Sequence, residues 1–316
     1  MSRTLRSFFA CLLLIALPAL AAPICPPPPT QPSPAAVQEA MQHARDRGFL
    51  WRISKDGRDS WLYGTIHVAK FDWMFPGPQV MQAVQDSGVL ALELDMLDPD
   101  IRQRMAAGMR AVDAAPALPP ELVRRLREQA QATCLPYEAI ARYPAEIQLT
   151  TLTLMKARLD GLEAAYAVDA VLAGMGHGAQ KQVVSLETPE SQFATLKIDD
   201  PQELLQLMDE SLAEMEHGKD RKQLRHIAQV WASSDYDELA RYEEWCECME
   251  SPTQRRFMHK LLDERNPALA ERIDALHQQG NQVFAAVGSL HMFGERALPR
   301  LLEQRGYRVE RIDFPQ

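Results

Sequence analysis

The chain has 316 residues, 46% of them hydrophobic, and a formal charge of −9. Phosphate contacts need clustered lysine and arginine, so this acidic balance argues against a nucleic-acid partner. After the N-terminal apolar run no stretch is long and apolar enough to cross a bilayer, so no stable membrane span is expected in the mature form.

Arg3 and Arg6 precede an apolar run from Phe8 to Leu20, and Ala19-Leu20-Ala21 is a small-x-small pattern. Residues 1–21 therefore read as a secretory signal peptide cleaved near Ala21, which predicts a periplasmic or secreted protein. Cys25 lacks the small residue just before it that a lipoprotein would carry. Cleavage removes two arginines and no acids, taking the formal charge to −11. Residues 22–36, with Pro23, Pro26 to Pro29, Pro32 and Pro34, predict an extended, poorly ordered leader. The folded domain is expected over residues 37–316.

Short apolar runs bounded by turn residues predict strands at 49–54, 60–68, 88–94, 182–186, 282–287 and 307–314. The first two flank Lys55-Asp56-Gly57-Arg58-Asp59, a hairpin signal. Helical patterns fill 79–87, 99–112, 119–132, 143–158, 162–175, 189–197, 201–216, 219–232, 235–247, 252–263, 267–279 and 294–305. Strands alternating with helices at both ends predict an α/β sheet. The helix-only stretches, about 99–180 and 200–280, predict helical layers or a cap. A methionine-rich set (Met105, Met109, Met155, Met175, Met208, Met215) reads as core filling. Gly174-Met175-Gly176-His177-Gly178 follows a helix and reads as its C-terminal break.

Two look-alike segments carry the chemistry. Gly64-Thr65-Ile66-His67 and Gly288-Ser289-Leu290-His291 each follow an apolar run, and the glycine is expected to permit a sharp exit from a strand. Histidine is a metal ligand and proton carrier. Between them, one strand runs into Glu93-Leu94-Asp95 and another into Glu187, beside Thr188-Pro189. In open α/β sheets, sites form beyond the carboxyl ends of strands. Alignment of these ends would bring two histidines and two or three carboxylates together. Glu93 in a buried strand needs a cation, donors or a metal, because an unpaired buried carboxylate is costly. Glu187 reads equally as a site residue or a helix cap. His43, His177, His217, His226, His259 and His277 have no matched spacing and read as surface or capping residues. Ser289 has no local support as a nucleophile. Cys25, Cys134, Cys246 and Cys248 permit disulfides in an exported protein, with three pairings open.

Trp61 to Val68, Leu92 to Asp95, Leu186 to Gln192 and Ala286 to Gly294 resemble the hallmarks of the TraB/GumN family. That family includes the Tiki proteins and is linked to the erythromycin-esterase and ChaN-like folds. The resemblance covers about Phe49 to Ile312. It implies an α/β fold with a central mixed sheet, flanking helices and a large helical insertion, of EreA/ChaN-like type. It also implies a metal-assisted hydrolytic site. Carried over by position, His67 and His291 are the motif histidines, and Glu93 and Glu187 match the family glutamates. Ser289 and Met292 stand where many relatives have a small residue and leucine.

The expected function is a metal-dependent hydrolase, most naturally a peptidase acting on a peptide or protein. His67 and His291 would hold one divalent cation, with Glu93 as a third ligand or general base and Glu187 orienting a histidine or completing the site. Nitrogen and oxygen donors without thiolate admit zinc, manganese or cobalt. The alternatives are a non-enzymatic binder of haem or another small ligand, as the ChaN-like resemblance allows, and a signalling protein with a degenerate site.

Overall fold

The computed structural model describes residues 25–27, 32–110 and 118–315. The signal segment, residues 22–24 and 28–31 of the leader, and the end of the helix expected over 99–112 lie outside them. Among the described residues six strands form one sheet: β1 (Phe49–Lys55), β2 (Arg58–Thr65), β3 (Val89–Leu92), β4 (Gln182–Ser185), β5 (Val283–Gly288) and β6 (Arg308–Ile312), in the order β4-β3-β5-β2-β1-β6. The four strands β4, β3, β5 and β2 are parallel, while β1 and β6 add antiparallel. The sheet is therefore mixed, with helices flanking it, and every strand predicted from apolar runs is present.

Local chemistry explains the elements. Asp56 and Gly57 both adopt positive φ (52° and 73°) and close the β1–β2 hairpin in two residues, with Lys55 opposite Arg58. That is the turn whose twist matches the flanking strands. β3 and β5 are buried along their whole length, as strands covered on both faces must be. Proline opens helix after helix, for example Pro78–Asp86, Pro189–Leu196 and Pro201–His217, where its missing N–H costs nothing. A helix at Pro34–Gln42, capped by the Ser33 side chain, begins inside the segment expected to be extended. The glycine-rich Gly174 to Gly178 does not end its helix, which runs Val168–Gly178. Glycine at Gly176 lets the helix seat closely on Val183 and Leu90, and the break comes at Gln180, with φ 55°.

Two cores divide the apolar surface. The larger surrounds the sheet and includes Leu50, Ile53, Leu62, Leu90, Phe284 and Trp231. Full burial of each such side chain contributes about 1.5–3 kcal/mol. The smaller core lies among the helices Pro120–Ala132, Ala145–Ala157 and Pro201–His217, around Leu126, Leu152, Met208 and Leu212. These helices are the large insertion. Cys25 is bonded to Cys134 just beyond the first of them, and Cys246 to Cys248. Among the described residues no helix is long and apolar enough to cross a membrane.

His277 is fully buried rather than on the surface: Ser60 Oγ lies 2.9 Å from its Nδ1, and its Nε2 is 3.0 Å from the Lys55 carbonyl oxygen. Ser60 also accepts from the Val283 amide at 2.9 Å, so this histidine ties the hairpin to the start of β5.

Candidate functional site

Parallel pairing sets the site. Thr65 is opposite Gly288, Leu92 opposite Ala286, and Leu92 opposite Ser185, so β2, β3, β4 and β5 all deliver their carboxyl ends to one edge. The ladder continues past β3 and β4, with Leu186 N–H donating to Leu92 at 2.7 Å and Glu187 N–H to Glu93 at 3.1 Å. His67, Glu93, Glu187 and His291 meet there although their codons span most of the chain.

Glu93 is the hub. Its Oε1 accepts from the Gly288 amide at 2.7 Å and lies 3.8 Å from His67 Nε2. Its Oε2 accepts from Arg265 at 2.5 Å. Burial alone would push this carboxyl up, but His67, His291, Arg265 and the Gly288 amide outweigh it and hold the pKa at about 2. Glu187 accepts from Arg265 Nε at 2.9 Å and Nη2 at 2.5 Å, a bidentate pair, and from Gln192 at 3.0 Å. The helix beside it is capped by Thr188 with Ser191, so Glu187 is free of the capping role.

Each imidazole is pinned through Nδ1. Asp169 Oδ2 lies 3.0 Å from His67 Nδ1, and the other Asp169 oxygen accepts from Thr65 Oγ1 at 2.7 Å. The negative Asp169 beside it, with Glu93 farther off, raises the His67 pKa to about 9. The other face of the His67 ring is open, with 58% of its side-chain surface accessible. Asn266 Oδ1 lies 2.6 Å from His291 Nδ1, and Asn266 Nδ2 donates to the Arg296 carbonyl at 2.8 Å. An amide oxygen only accepts, so His291 carries its proton on Nδ1 and presents a bare Nε2. Burial lowers its pKa to about 3 and keeps the ring neutral. That Nε2 faces Arg265 Nη1 at 3.1 Å.

The motif glycines serve proximity, not strand exit, and neither has positive φ. A Cβ on Gly64 would lie 2.9 Å from Ser289 Oγ, and one on Gly288 would lie 3.1 Å from His67 Nε2 and 3.2 Å from Glu93 Oε1. The two G-x-x-H segments are packed against each other. Ser289 is also tied down, its hydroxyl donating to the Thr65 carbonyl at 2.8 Å. Trp231 braces the first segment by donating from its indole to the Gly64 carbonyl at 2.9 Å.

Asp95 does not join the cluster. It is buried and bonded at 2.7 Å to Nε2 of His177, which the sequence placed on the surface without a role. Asp95 also accepts from the Leu97 amide at 3.0 Å, which fixes the turn leaving β3.

Two histidine nitrogens and a carboxylate are donors that zinc, manganese or cobalt accept. A carboxylate or amide oxygen on each Nδ1 is the partner pattern of metal-ligating histidines. By donor chemistry the residues fit a divalent cation, His291 with its bare Nε2 and His67 once its Nε2 proton is given up to the entering ion. In the arrangement seen a guanidinium stands among them, and among the described residues no group of three or more His, Cys, Asp or Glu side chains is disposed to hold an ion.

The sequence reading missed Arg265, Asn266, Asp169 and Gln192. Pro267 marks a helix start and could have flagged Arg265-Asn266 as a helix entry; nothing local flags Asp169 or Gln192.

The model of the TraB/PrgY/gumN family matches residues 49–311. The Danio rerio protein named Metalloprotease TIKI1 is 25% identical over 313 residues, covering 83% of this chain and 62% of its own length. The chain thus spans less than two thirds of that relative. Uncharacterized protein YbaP of Shigella flexneri is 24% identical over 248 residues, 78% of this chain and 88% of YbaP. YbaP of Escherichia coli (strain K12) is 24% identical over 244 residues, 76% of this chain and 86% of YbaP. No solved structure matches the chain.

Proposed function

The chain belongs to the TraB/PrgY/gumN family, and from that premise we propose that it is a metal-dependent peptidase working outside the cytoplasm. The observation that carries this reading is the pair of imidazoles pinned by Asp169 and Asn266, which leaves each Nε2 turned toward the Glu93 carboxylate or its guanidinium partner. The likeness to a protein named a metalloprotease supports peptide-bond hydrolysis over other hydrolytic chemistry. The two disulfides and the N-terminal signal pattern support export.

His67, His291 and Glu93 would hold the cation. When bound, it would serve as a Lewis acid toward water and the scissile carbonyl. Asp169 fixes the ring of His67 and Asn266 that of His291, so neither ring must reorient during turnover. Glu93 would take the proton of the attacking water on Oε1, the oxygen facing His67, and pass it to the departing amine. The Gly288 amide holds that carboxylate still. Glu187 stays paired with Arg265 and Gln192 and sets the electrostatic balance beside Glu93.

The test joins metal analysis of the mature protein to a peptide-library cleavage assay, repeated on His67→Ala and Glu93→Ala variants that remain folded by circular dichroism. The reading requires bound metal and cleavage in the wild type and loss of both in the variants. Equal metal content and equal cleavage across the three proteins would end it.

A further inference from the structure

Three of the four proposed site residues are engaged by one guanidinium. Arg265 Nη2 donates to Glu93 Oε2 and to Glu187 Oε2, each at 2.5 Å; Nε donates to Glu187 Oε1 at 2.9 Å; Nη1 faces His291 Nε2 at 3.1 Å. Because Asn266 fixes the His291 proton on Nδ1, the lone pair that faces Arg265 is the one a metal would use. Glu93 Oε2, which faces Arg265, is likewise the oxygen it could turn to a metal, while Oε1 accepts from the Gly288 amide and keeps a lone pair on the side of His67. Arg265 therefore occupies the lone pairs of two of the three residues assigned to the cation.

Building on the metal-dependent reading, we infer that Arg265 is a built-in counter-cation that fills the metal position, so that metal entry and the guanidinium's contacts with Glu93 and His291 are mutually exclusive. The electrostatics require some cation there. Glu93 and Glu187 are each 9% accessible at the side chain, and two carboxylates this dry cannot stand side by side without positive charge. A guanidinium supplies it in the empty site; a divalent ion supplies it in the loaded one. The exchange would also release Nη1 from the Leu261 carbonyl, to which it donates at 3.1 Å. Arg265 sits just ahead of the helix Asn266–Gln278, and a rotation of its long side chain would withdraw Nη1 from His291 and Nη2 from Glu93. Of its two bonds to Glu187, Nη2 is shared with Glu93 while Nε serves Glu187 alone, which makes Glu187 the tether of the withdrawn arginine rather than a metal ligand.

The experiment uses the full mature chain with its disulfides, stripped by chelator and titrated with zinc chloride or manganese chloride. Binding is read by calorimetry, and stability by thermal melting with and without ion. Wild type is compared with Arg265→Gln, Arg265→Lys and His291→Ala. Arg265→Gln should melt below wild type when stripped, because the carboxylates lose their cation. It should bind ion at least tenfold more tightly, and the ion should return its melting temperature to the wild-type value. Arg265→Lys, whose ammonium cannot bridge both glutamates and His291 together, should bind several-fold more tightly than wild type. The gain should vanish when His291→Ala is added.

If Arg265→Gln folds only with zinc present, that dependence supports the inference, and Arg265→Lys supplies the affinity. Should wild type bind ion in a His291-dependent way while both Arg265 variants bind equally or more weakly, the inference fails and the metallopeptidase reading survives. Should none of the proteins bind ion, both fail.

Discussion

Gly288→Ala isolates the geometry of the site from the stability of the fold. Gly288 has φ −49° and ψ 137°, a conformation alanine adopts without penalty. The substitution should gain about 0.4–1 kcal/mol by restricting the unfolded chain. Against that, the new methyl would sit 3.1 Å from His67 Nε2, 3.2 Å from Glu93 Oε1 and 3.7 Å from His291 Cδ2. The first two separations are a few tenths of an ångström short of comfortable contact, so those groups must retreat. Overpacking of this kind costs about 1–3 kcal/mol, and the open outer face of His67 puts the cost near the lower end. The net change in folding stability should be within about 1 kcal/mol of zero. The chemistry should suffer more, since a displacement of about 1 Å at reacting groups can cost roughly 100-fold, and about half that displacement roughly tenfold. Urea denaturation, zinc titration and peptide cleavage measure the three quantities. Gly174→Ala, with nothing within 4 Å of the added methyl, is the control and should leave cleavage intact. Wild-type cleavage and zinc affinity in Gly288→Ala, or a stability loss of several kcal/mol, would show that the glycine is not there to make room for the histidines and Glu93.

Further outcomes follow from other contacts. Asn266→Ala strands the buried His291 Nδ1 proton and the Arg296 carbonyl, so the urea midpoint should fall by an amount corresponding to about 3 kcal/mol, with the slope unchanged. Asp169→Asn removes the charge that holds His67 at about 9, and the histidine titration followed by NMR in the metal-free protein should move down toward 6.5. Because the folded pKa is the higher one, His67 stabilises the fold below about pH 6.5 and that contribution is lost as pH rises to about 9; the variant should lack this slope. Glu214 is pushed up to about 7, chiefly by burial, although Gln254 donates to it. Its contribution is fully present below about pH 4.5 and lost as pH rises through about 7, so Glu214→Gln should be less sensitive to pH across that window in denaturation midpoints.

The parts of the site written in strand language were legible before the fold. His67, Glu93, Glu187 and His291 each end a short apolar run, and period and punctuation locate such ends directly. Arg265, Asn266 and Asp169 were not, because they lie at helix starts, where charged and amide residues ordinarily face water or cap. Only the packing of those helices over the strand ends turns them inward. His277 fails for the same reason: a polar residue late in a helix looks solvated until its partner, Ser60, arrives from the sheet, whereas His177 does lie exposed and reaches Asp95 from the surface. Strand alternation continued from Val89 to Asp95 would set Glu93 and Asp95 on one face, but β3 ends at Leu92 and the period ends with it. The carboxylates then part, one to Arg265 and one to His177. Family resemblance and composition together reached the mixed α/β architecture; the insertion of β5 between β2 and β3 had no signature in either.

That insertion bears on biogenesis. β2 and β3 are synthesised early, yet the strand that zips them together arrives near the end of translation. Until then each offers a bare, apolar backbone edge, the kind of surface that recruits other nascent chains. A stop codon just ahead of Val283 would leave two sheet fragments with an empty central slot. Such a product should be insoluble or degraded rather than merely inactive, and the intact polypeptide should depend on a holding chaperone until its last segment is released.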